Sequence, residues 1–271
     1  MSYRFLLFVP FSLVFIAASA PKLPKKLKKT FSFVPSGLAV VGADTLSLQA
    51  YYMQNFEVSN AEYQVYLDYL EKKGDKKTIE KARVRNENWN QALKSAAFAE
   101  KYHQHPAFAN YPVVNVTYAA AQGYCTYMTE KLNALFAKSG IKVKARLPFH
   151  AEIIRAGVGD NHSRKFPWEY TGVRNNKGEF MSNHVAGIAS NGSPADGDNA
   201  DVLAPVKSYW PSPLGVYNLS GNAAEMTHVP GVAVGGSWKD LADNVTLQST
   251  SKYDDSAPNV GFRVVFTWQA E

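Results

Sequence analysis

The sequence predicts a fold that mixes strands and helices with sparse regular structure, in a chain long enough for one large domain or two small ones, and three observations carry that reading. Strand-like patterns sit near both ends, at 31–41, 46–58 and 261–266. Helical patterns with recognisable start and stop signals lie between them. The tract 157–213 is rich in Gly, Asn, Asp and Pro and shows little periodicity. So long an irregular stretch is uncommon unless ions or function hold it. With 15 Tyr, 15 Phe and 5 Trp the chain has ample large side chains for a core, which excludes low-complexity disorder for most of it.

The elements follow in order. Phe31 to Val41 reads as strand, with Pro35-Ser36-Gly37 as a turn inside it. Leu46 to Val58 alternates well enough for a second strand or strand pair. Ser59-Asn60-Ala61-Glu62 is a capping box: the Ser59 hydroxyl accepts from the helix's third amide and Glu62 reaches back. Tyr63, Tyr66, Leu67 and Leu70 then share one helical face, and Gly74 ends the helix. Residues 75–110 read as a polar excursion with some helix, including Trp89. His103 and His105 within it suggest a metal, but two histidines in a loop are more commonly structural or solvated.

Pro112 to Val116 is expected as a short buried strand. Thr117 caps the next helix, whose inner face carries Ala120, Ala121, Tyr124, Cys125 and Met128, and Gly140 stops it. Arg146-Leu147-Pro148 followed by Ala151-Glu152-Ile153-Ile154 is a strand end turning into a helix. Phe166-Pro167-Trp168 marks an aromatic corner. Gly235-Gly236-Ser237-Trp238 implies a tight backbone approach, and Gly261 to Phe266 reads as a closing strand. No internal repeat is visible.

The net charge of +6 comes from 29 Lys and Arg against 23 Asp and Glu. Arg4, Lys22, Lys25, Lys26, Lys28 and Lys29 supply that excess, so the rest of the chain is close to neutral. A nucleic-acid groove needs a basic face on the folded part, so no nucleic-acid partner is expected. Residues 1–20 read as an export signal: Arg4, an apolar run from Phe5 to Ala17, then Ala18-Ser19-Ala20 as a small-residue cleavage site. The run is short for a membrane span, which needs about 20 residues, so no span is expected after cleavage. Residues 21–30 are expected as a Lys/Pro-rich leader, extended and solvated. An exported protein in the periplasm or cell envelope is the localisation this predicts. Cys125, the single cysteine, can form neither an intrachain disulfide nor a multi-thiolate metal site, and its place on an apolar helix face points to inert burial.

The densest functional signal is Leu214 to Met226. Asn218, Gly221 and Glu225 suit one loop folding back on itself. An amide oxygen, a carboxylate and carbonyls turned inward at a glycine are the ligands that calcium takes. A capped turn with a solvated glutamate satisfies the same residues.

Taken in order, the landmarks resemble the sulfatase-modifying-factor family, whose best-known member is the formylglycine-generating enzyme. The matching segments are Phe56–Tyr63, Pro112–Val116, Arg146-Leu147-Pro148 with Ala151-Glu152, and Phe166-Pro167-Trp168. They continue with Tyr217–Asn222 and Glu225, Gly235–Trp238, and Gly261-Phe262-Arg263. The resemblance covers residues 31–267 and implies one large, irregular α+β domain of the C-type-lectin-like type, poor in regular structure and stabilised by two calcium ions. One ion is implied on the side chains of Asn218 and Glu225 with the Gly221 and Ala223 carbonyls. The other is implied on Asn183 and Asp198 with the His184 and Ala200 carbonyls.

The departures bear on activity. The family enzyme oxidises a substrate cysteine with oxygen, using a cysteine pair that holds Cu(I), a soft ion that prefers sulfur. Those positions fall on Asp240 and Val245, so copper is not expected. The active-site tryptophan position is Ala224. Cys125 keeps the family's helix cysteine, but its usual disulfide partner position is Val264. No catalytic residue is therefore assigned, and a non-catalytic binding or structural component of the envelope is the favoured reading.

Arg174–Phe180 with Ser182-Asn183 resembles the branch found in gliding-motility and type IX secretion lipoproteins, which makes envelope or secretion-system proteins the expected partners. An Asn/Gly/Lys-rich segment is equally an ordinary surface turn, and no lipid-anchor cysteine follows the apolar run. A formylglycine-type oxidase or another metal-dependent enzyme, with a carboxylate site at Asp240 and Asp243, is one alternative. A calcium-dependent small-ligand or glycan binder is the other. The six histidines do not fall in the cluster that the family's sulfoxide synthases use.

Overall fold

The computed structural model describes residues 20–89, 100–185 and 202–270. Residues 1–19 of the export signal predicted at 1–20, and Asp198 and Ala200 of the second implied calcium site, lie outside those residues.

The central sheet has four antiparallel strands in the order β1-β4-β10-β5: Phe31–Val34, Tyr51–Gln54, Val265–Ala270 and Ile141–Arg146. Its first and last strands in sequence both pair with β4, so the two ends of the domain are stitched together. Both faces are covered. Tyr52 and Phe266 pack towards helices α1 (Asn60–Lys73) and α3 (Tyr118–Phe136), while Tyr51, Met53 and Val265 pack towards α4 (His150–Val158). This is the period of two in a strand, used on both sides. A short α2 spans Lys76–Ala82. A second sheet runs β8-β7-β6-β9, from Thr250–Lys252, Val232–Val234, Ala224–Met226 and Val260–Gly261, with β6 and β9 parallel. β2 (Gly37–Val41) and β3 (Asp44–Leu48) form a separate hairpin.

Local signals hold up well. Ser59 and Glu62 form the reciprocal capping box, and Gly74 ends α1 at φ 70°. Thr117 Oγ1 accepts from Ala120 N to cap α3, which closes through a 3-10 turn at Gly140, φ 62°. The edge of β5 is covered by α3 itself. Asn133 pairs with both the N–H and C=O of Val143, and Thr129 Oγ1 accepts from Ala145 N. Those groups face away from β10 and, left bare, make an edge that recruits other strands.

Four expectations need correction. Phe31 to Val41 is not one folded-back strand, because β1 and β2 belong to different sheets. The turn between them wraps the buried Arg155: a Cβ on Gly37 would lie 2.4 Å from that guanidinium. Gly261 to Phe266 likewise divides, with Val260–Gly261 in the second sheet and the strand from Val265 in the first. Pro112 to Val116 is buried but irregular, with one bridge to Ser59 and Asn115 at φ 58°. Residues 21–30 are not a solvated leader. They form turns in which Leu27 is buried beside Phe31, and Tyr52 Oη donates to the Pro21 carbonyl. Leu23 and Leu27, one helical turn apart, supply the apolar contact that the lysines around them obscure.

Candidate functional site

The turn at 218–222 is forced into shape by its neighbours. Asn218, Gly221 and Asn222 all take positive φ, at 53°, 79° and 62°. Asn tolerates that region and Gly is at ease in it. At Gly221 no other residue fits, because a Cβ there would stand 2.4 Å from the Asn183 carbonyl oxygen. Asn222 N donates to that same oxygen at 2.8 Å, so the 182–184 and 218–222 loops lie directly against each other.

Beneath the turn is a buried polar cluster joining five distant parts of the chain. The Arg263 guanidinium grips both carboxylate oxygens of Glu225, through Nε at 2.6 Å and through Nη2. It also donates to the carbonyls of Gln54 and Tyr217. Glu57 lies alongside, completely buried, and accepts from Asn222 Nδ2 at 2.8 Å and Asn218 Nδ2 at 3.1 Å. Asn183 Nδ2 donates to Asn222 Oδ1 at 3.1 Å and to the Val202 carbonyl at 2.6 Å.

Two carboxylates thus share one guanidinium. With both ionised, the cluster holds one excess negative charge away from water, which demands a proton or a cation. Burial, reinforced by the Glu225 charge, pushes the Glu57 carboxyl up to about 7 against the opposing pull of Arg263 and Asn222. Burial also raises Glu225, against the pull of Arg263.

The residues present fit a hard cation. Among the described residues, Asn218 Oδ1 and Asn183 Oδ1 are buried and have no hydrogen-bond partner. Both amides are fixed in orientation, because their nitrogens are held by acceptors on the other side. A buried carbonyl oxygen that is left unmet is costly, and oxygen donors of this kind are what calcium accepts. Glu225, predicted as a ligand, is engaged by Arg263, yet each carboxylate oxygen retains a further lone pair. The Gly221 and Ala223 carbonyls lie in the same turn. His184 follows Asn183 in the neighbouring loop, with its ring Nδ1 against the Ser182 carbonyl. Among the described residues, no group of three or more His, Cys, Asp and Glu side chains gathers for a metal. An amide- and carbonyl-rich donor set is therefore the one to weigh.

The second feature is the 235–245 loop. Gly235 and Gly236 take φ 85° and 68°, and a Cβ on Gly236 would meet the Asn244 carbonyl oxygen at 2.2 Å. Asp240 Oδ2 accepts from Ser237 N at 2.8 Å and from Ser237 Oγ, while Asn259 Nδ2 donates to that hydroxyl at 3.1 Å. Ser237 is fully buried and its hydroxyl is committed to closing the loop. Val245 is also fully buried, in an apolar cluster with Phe166, Trp168 and Met181. The Phe166 and Trp168 rings of the predicted aromatic corner stack there, with centroids 5.0 Å apart. Asp243 is exposed. Beside the loop opens a cleft of about 270 Å3 lined by Gly236, Asp240, Asn244, Ser249, Thr250 and Ser251.

Cys125 is buried in the main core, which pushes its thiol up to about 12, and Val264, at the implied disulfide partner position, is fully buried. His103 is a structural residue: Nδ1 bonds Asn60 Oδ1 at 2.9 Å and burial lowers its pKa to about 3. His105 Nδ1 accepts from Ala107 N in a 3-10 turn.

The family model for the sulfatase-modifying factor enzyme 1-like domain matches residues 17–268. The chain belongs to the sulfatase-modifying-factor family. The formylglycine-generating enzyme of Bos taurus is 27% identical over 236 residues, covering 72% of this chain and 56% of that protein. The Mus musculus enzyme is 26% identical over 250 residues, covering 78% and 62%. The chain thus spans about three-fifths of the length of these relatives.

Among solved structures, PvdO from Pseudomonas aeruginosa superposes with TM-score 0.55 at 15% identity, over 87% of this chain and 93% of that one. CarF gives 0.55 at 19%, over 87% and 97%. Treponema denticola variable protein 1 gives 0.57 at 17%, over 87% and 94%. At these identities the likeness establishes the fold: the α+β, C-type-lectin-like architecture of the family.

Sequence reasoning found the Asn218–Glu225 loop but assigned no role to Glu57, Asn222 or Arg263. All three stand inside the motifs that carry the resemblance. The signal that singles them out is a polar side chain set between apolar or small neighbours: Phe56 and Val58, Gly221 and Ala223, Phe262 and Val264.

Proposed function

We propose that this chain is an exported, non-catalytic member of the family that binds other components of the cell envelope on a scaffold held by calcium. The observation that carries this is the chemistry of positions 240 and 245. The carboxylate of Asp240 is spent on closing its own loop through Ser237, and Val245 is a core side chain. Neither is a ligand for Cu(I), and the whole chain has one cysteine. On this reading one calcium is held by Asn218, Glu225 and the Gly221 and Ala223 carbonyls, and another by Asn183 and Asp198 with the His184 and Ala200 carbonyls. The ions supply positive charge that ties irregular loops together where disulfides are lacking.

The segment resembling the gliding-motility and type IX secretion branch is a built turn. Arg174 lies 3.5 Å from the Phe180 ring centroid, and Asn175 Oδ1 accepts from Lys177 N and Glu179 N. It offers a defined exposed feature for an envelope partner. The second reading, a calcium-dependent binder of a small polar ligand or glycan, is favoured by the cleft beside Asp240, whose lining is hydroxyl, amide and carboxylate.

The test is Cu(I) competition against a chromophoric chelator, together with cross-linking in envelope fractions. The expected results are no copper retained by the protein and recovery of a defined cross-linked complex. Stoichiometric copper retention, or recovery of the protein alone, contradicts the proposal. A glycan array read with calcium and with chelator decides the second reading, which a blank array removes.

A further inference from the structure

A cleft of about 390 Å3 opens between the first half of α3 and the end of β5. We infer that it is a binding site for a small organic acid, a single carboxylate carried on an apolar body. None of its lining residues belongs to the calcium loops or to the 235–245 loop. The inference therefore goes beyond the proposed function and does not rest on it.

The walls come from three parts of the chain. Tyr118, Gln122 and Thr126 recur every fourth residue and form one stripe along α3. Lys144 to Leu147 face them from β5, and His228 completes the lining. The mouth is fixed by hydrogen bonds. Tyr118 Oη donates to the His228 carbonyl at 2.6 Å, and His228 N donates to the Pro148 carbonyl at 2.8 Å. Thr227 Oγ1 accepts from Val229 N at 3.2 Å, which sets the turn that presents His228. The Phe149 ring is stacked against two lining residues, 4.6 Å from the Arg146 guanidinium and 4.4 Å from the His228 ring. This order holds large apolar side chains in water: Phe149 is 40% exposed and Val229 is 49% exposed. A ligand that covers groups already held in place loses less affinity to ordering them.

Charge selects the ligand. No carboxylate lines the cleft, and two cations do. One of them is spent, because Glu152 takes both Nη atoms of Arg146, at 2.7 and 2.6 Å. Lys144 is exposed and has no ion-pair partner among the described residues. One carboxylate balances that ammonium. A phosphate dianion brings a second charge with nothing to meet it, since Thr117 already caps the start of α3. Ala145, Leu147 and the Tyr118 ring supply apolar surface for the rest of the ligand. The volume lies at the low end of small-molecule pockets, about 300–1,000 Å3, and has room for one such acid.

The experiment is 19F NMR titration of the full chain with 4-(trifluoromethyl)phenylacetate, and with its neutral amide as the isostere. For an acid of this size a Kd near about 1 mM is expected. The amide, and the acid against Lys144→Met, are each expected to bind at least about fivefold more weakly, because the charged hydrogen bond is lost. Lys142→Met removes a cation from the same face of β5 but outside the cleft, and is expected to leave Kd within about twofold. Thr126→Trp fills the cleft from an exposed helix position and is expected to abolish binding with the melt unchanged. Inorganic phosphate is expected not to displace the acid. No binding by folded wild type up to about tenfold above that Kd overturns the inference. So do equal affinities for acid and amide, equal losses in Lys142→Met and Lys144→Met, unchanged binding in Thr126→Trp, or displacement by phosphate.

Discussion

Replacing Arg263 by Met in chelator at neutral pH tests the buried cluster most severely. The substitution keeps an unbranched apolar stem but removes the guanidinium that grips Glu225 and lies beside Glu57. Breaking a buried ion pair from one side costs about 3–5 kcal/mol. The carbonyls of Gln54 and Tyr217 lose their donor too, at about 1–3 kcal/mol each where no water replaces it. Together that is roughly 5–11 kcal/mol, against a total stability of about 5–15 kcal/mol for a natural domain. Arg263→Met is therefore expected to populate the unfolded state in the absence of denaturant. Arg263→Lys keeps the charge but not the fork that reaches four acceptors, and an intermediate loss of about 2–4 kcal/mol is expected in urea melts. Adding Glu225→Leu to Arg263→Met should recover more than about 2 kcal/mol, because the stranded charge goes with its partner. If Arg263→Met melts within about 1 kcal/mol of wild type, the pair is not the buried clamp described and the reasoning fails.

Three further outcomes follow from the same geometry. In chelator, stability should fall as pH rises from about 4.5 to about 7: the folded Glu57 carboxyl titrates near 7 while the unfolded one titrates near 4.5, so the folded state binds the extra proton in that window. The loss is about 3 kcal/mol at 1.36 kcal/mol per unit, and Glu57→Gln should flatten it; wild type and variant sharing one pH profile contradicts this. Removing calcium from protein held at a hundredfold excess over Kd should lower stability by roughly 2.7 kcal/mol and Tm by about 5–10 °C for each occupied site, and an unchanged melt shows that neither loop binds the ion. Gly221→Ala puts a Cβ against the Asn183 carbonyl at positive φ, so a loss above about 2 kcal/mol is expected in urea melts, and wild-type stability removes the argument for the loop contact.

What the sequence made legible was local chemistry. The Ser59–Glu62 box, the Gly74 and Gly140 stops and the Thr117 cap are each complete within a few residues, and each was readable. The alternation in Phe31 to Val41 was also real, but alternation does not say which sheet a strand joins. Arg155, more than a hundred residues away, decides that by occupying the turn at Gly37. Lysines at 22–29 suggested solvent, while the two leucines between them sufficed to dock the segment.

The site divides the same way. The oxygen-rich turn at 218–225 announced itself, and the orphaned amide oxygens of its Asn218 and of Asn183 in the neighbouring loop suit the predicted ion chemistry. Charge compensation did not announce itself, because Glu57 and Arg263 reach the loop from 161 residues upstream and 38 residues downstream of the groups they touch. The occupants of 240 and 245 could be read from the sequence, but their present uses, closing a loop and filling a core, needed coordinates.

The most direct measurement of the central claim is aldehyde formation. The purified full chain, loaded with copper under reducing conditions, is incubated in air with a sulfatase-derived peptide carrying one cysteine, and the peptide is analysed by mass spectrometry and hydrazide capture. A peptide recovered with its thiol or its disulfide, and no hydrazide adduct, is the predicted result. Catalytic conversion of the cysteine to an aldehyde would contradict the account, because it requires metal and oxygen chemistry that Asp240 and Val245 do not supply.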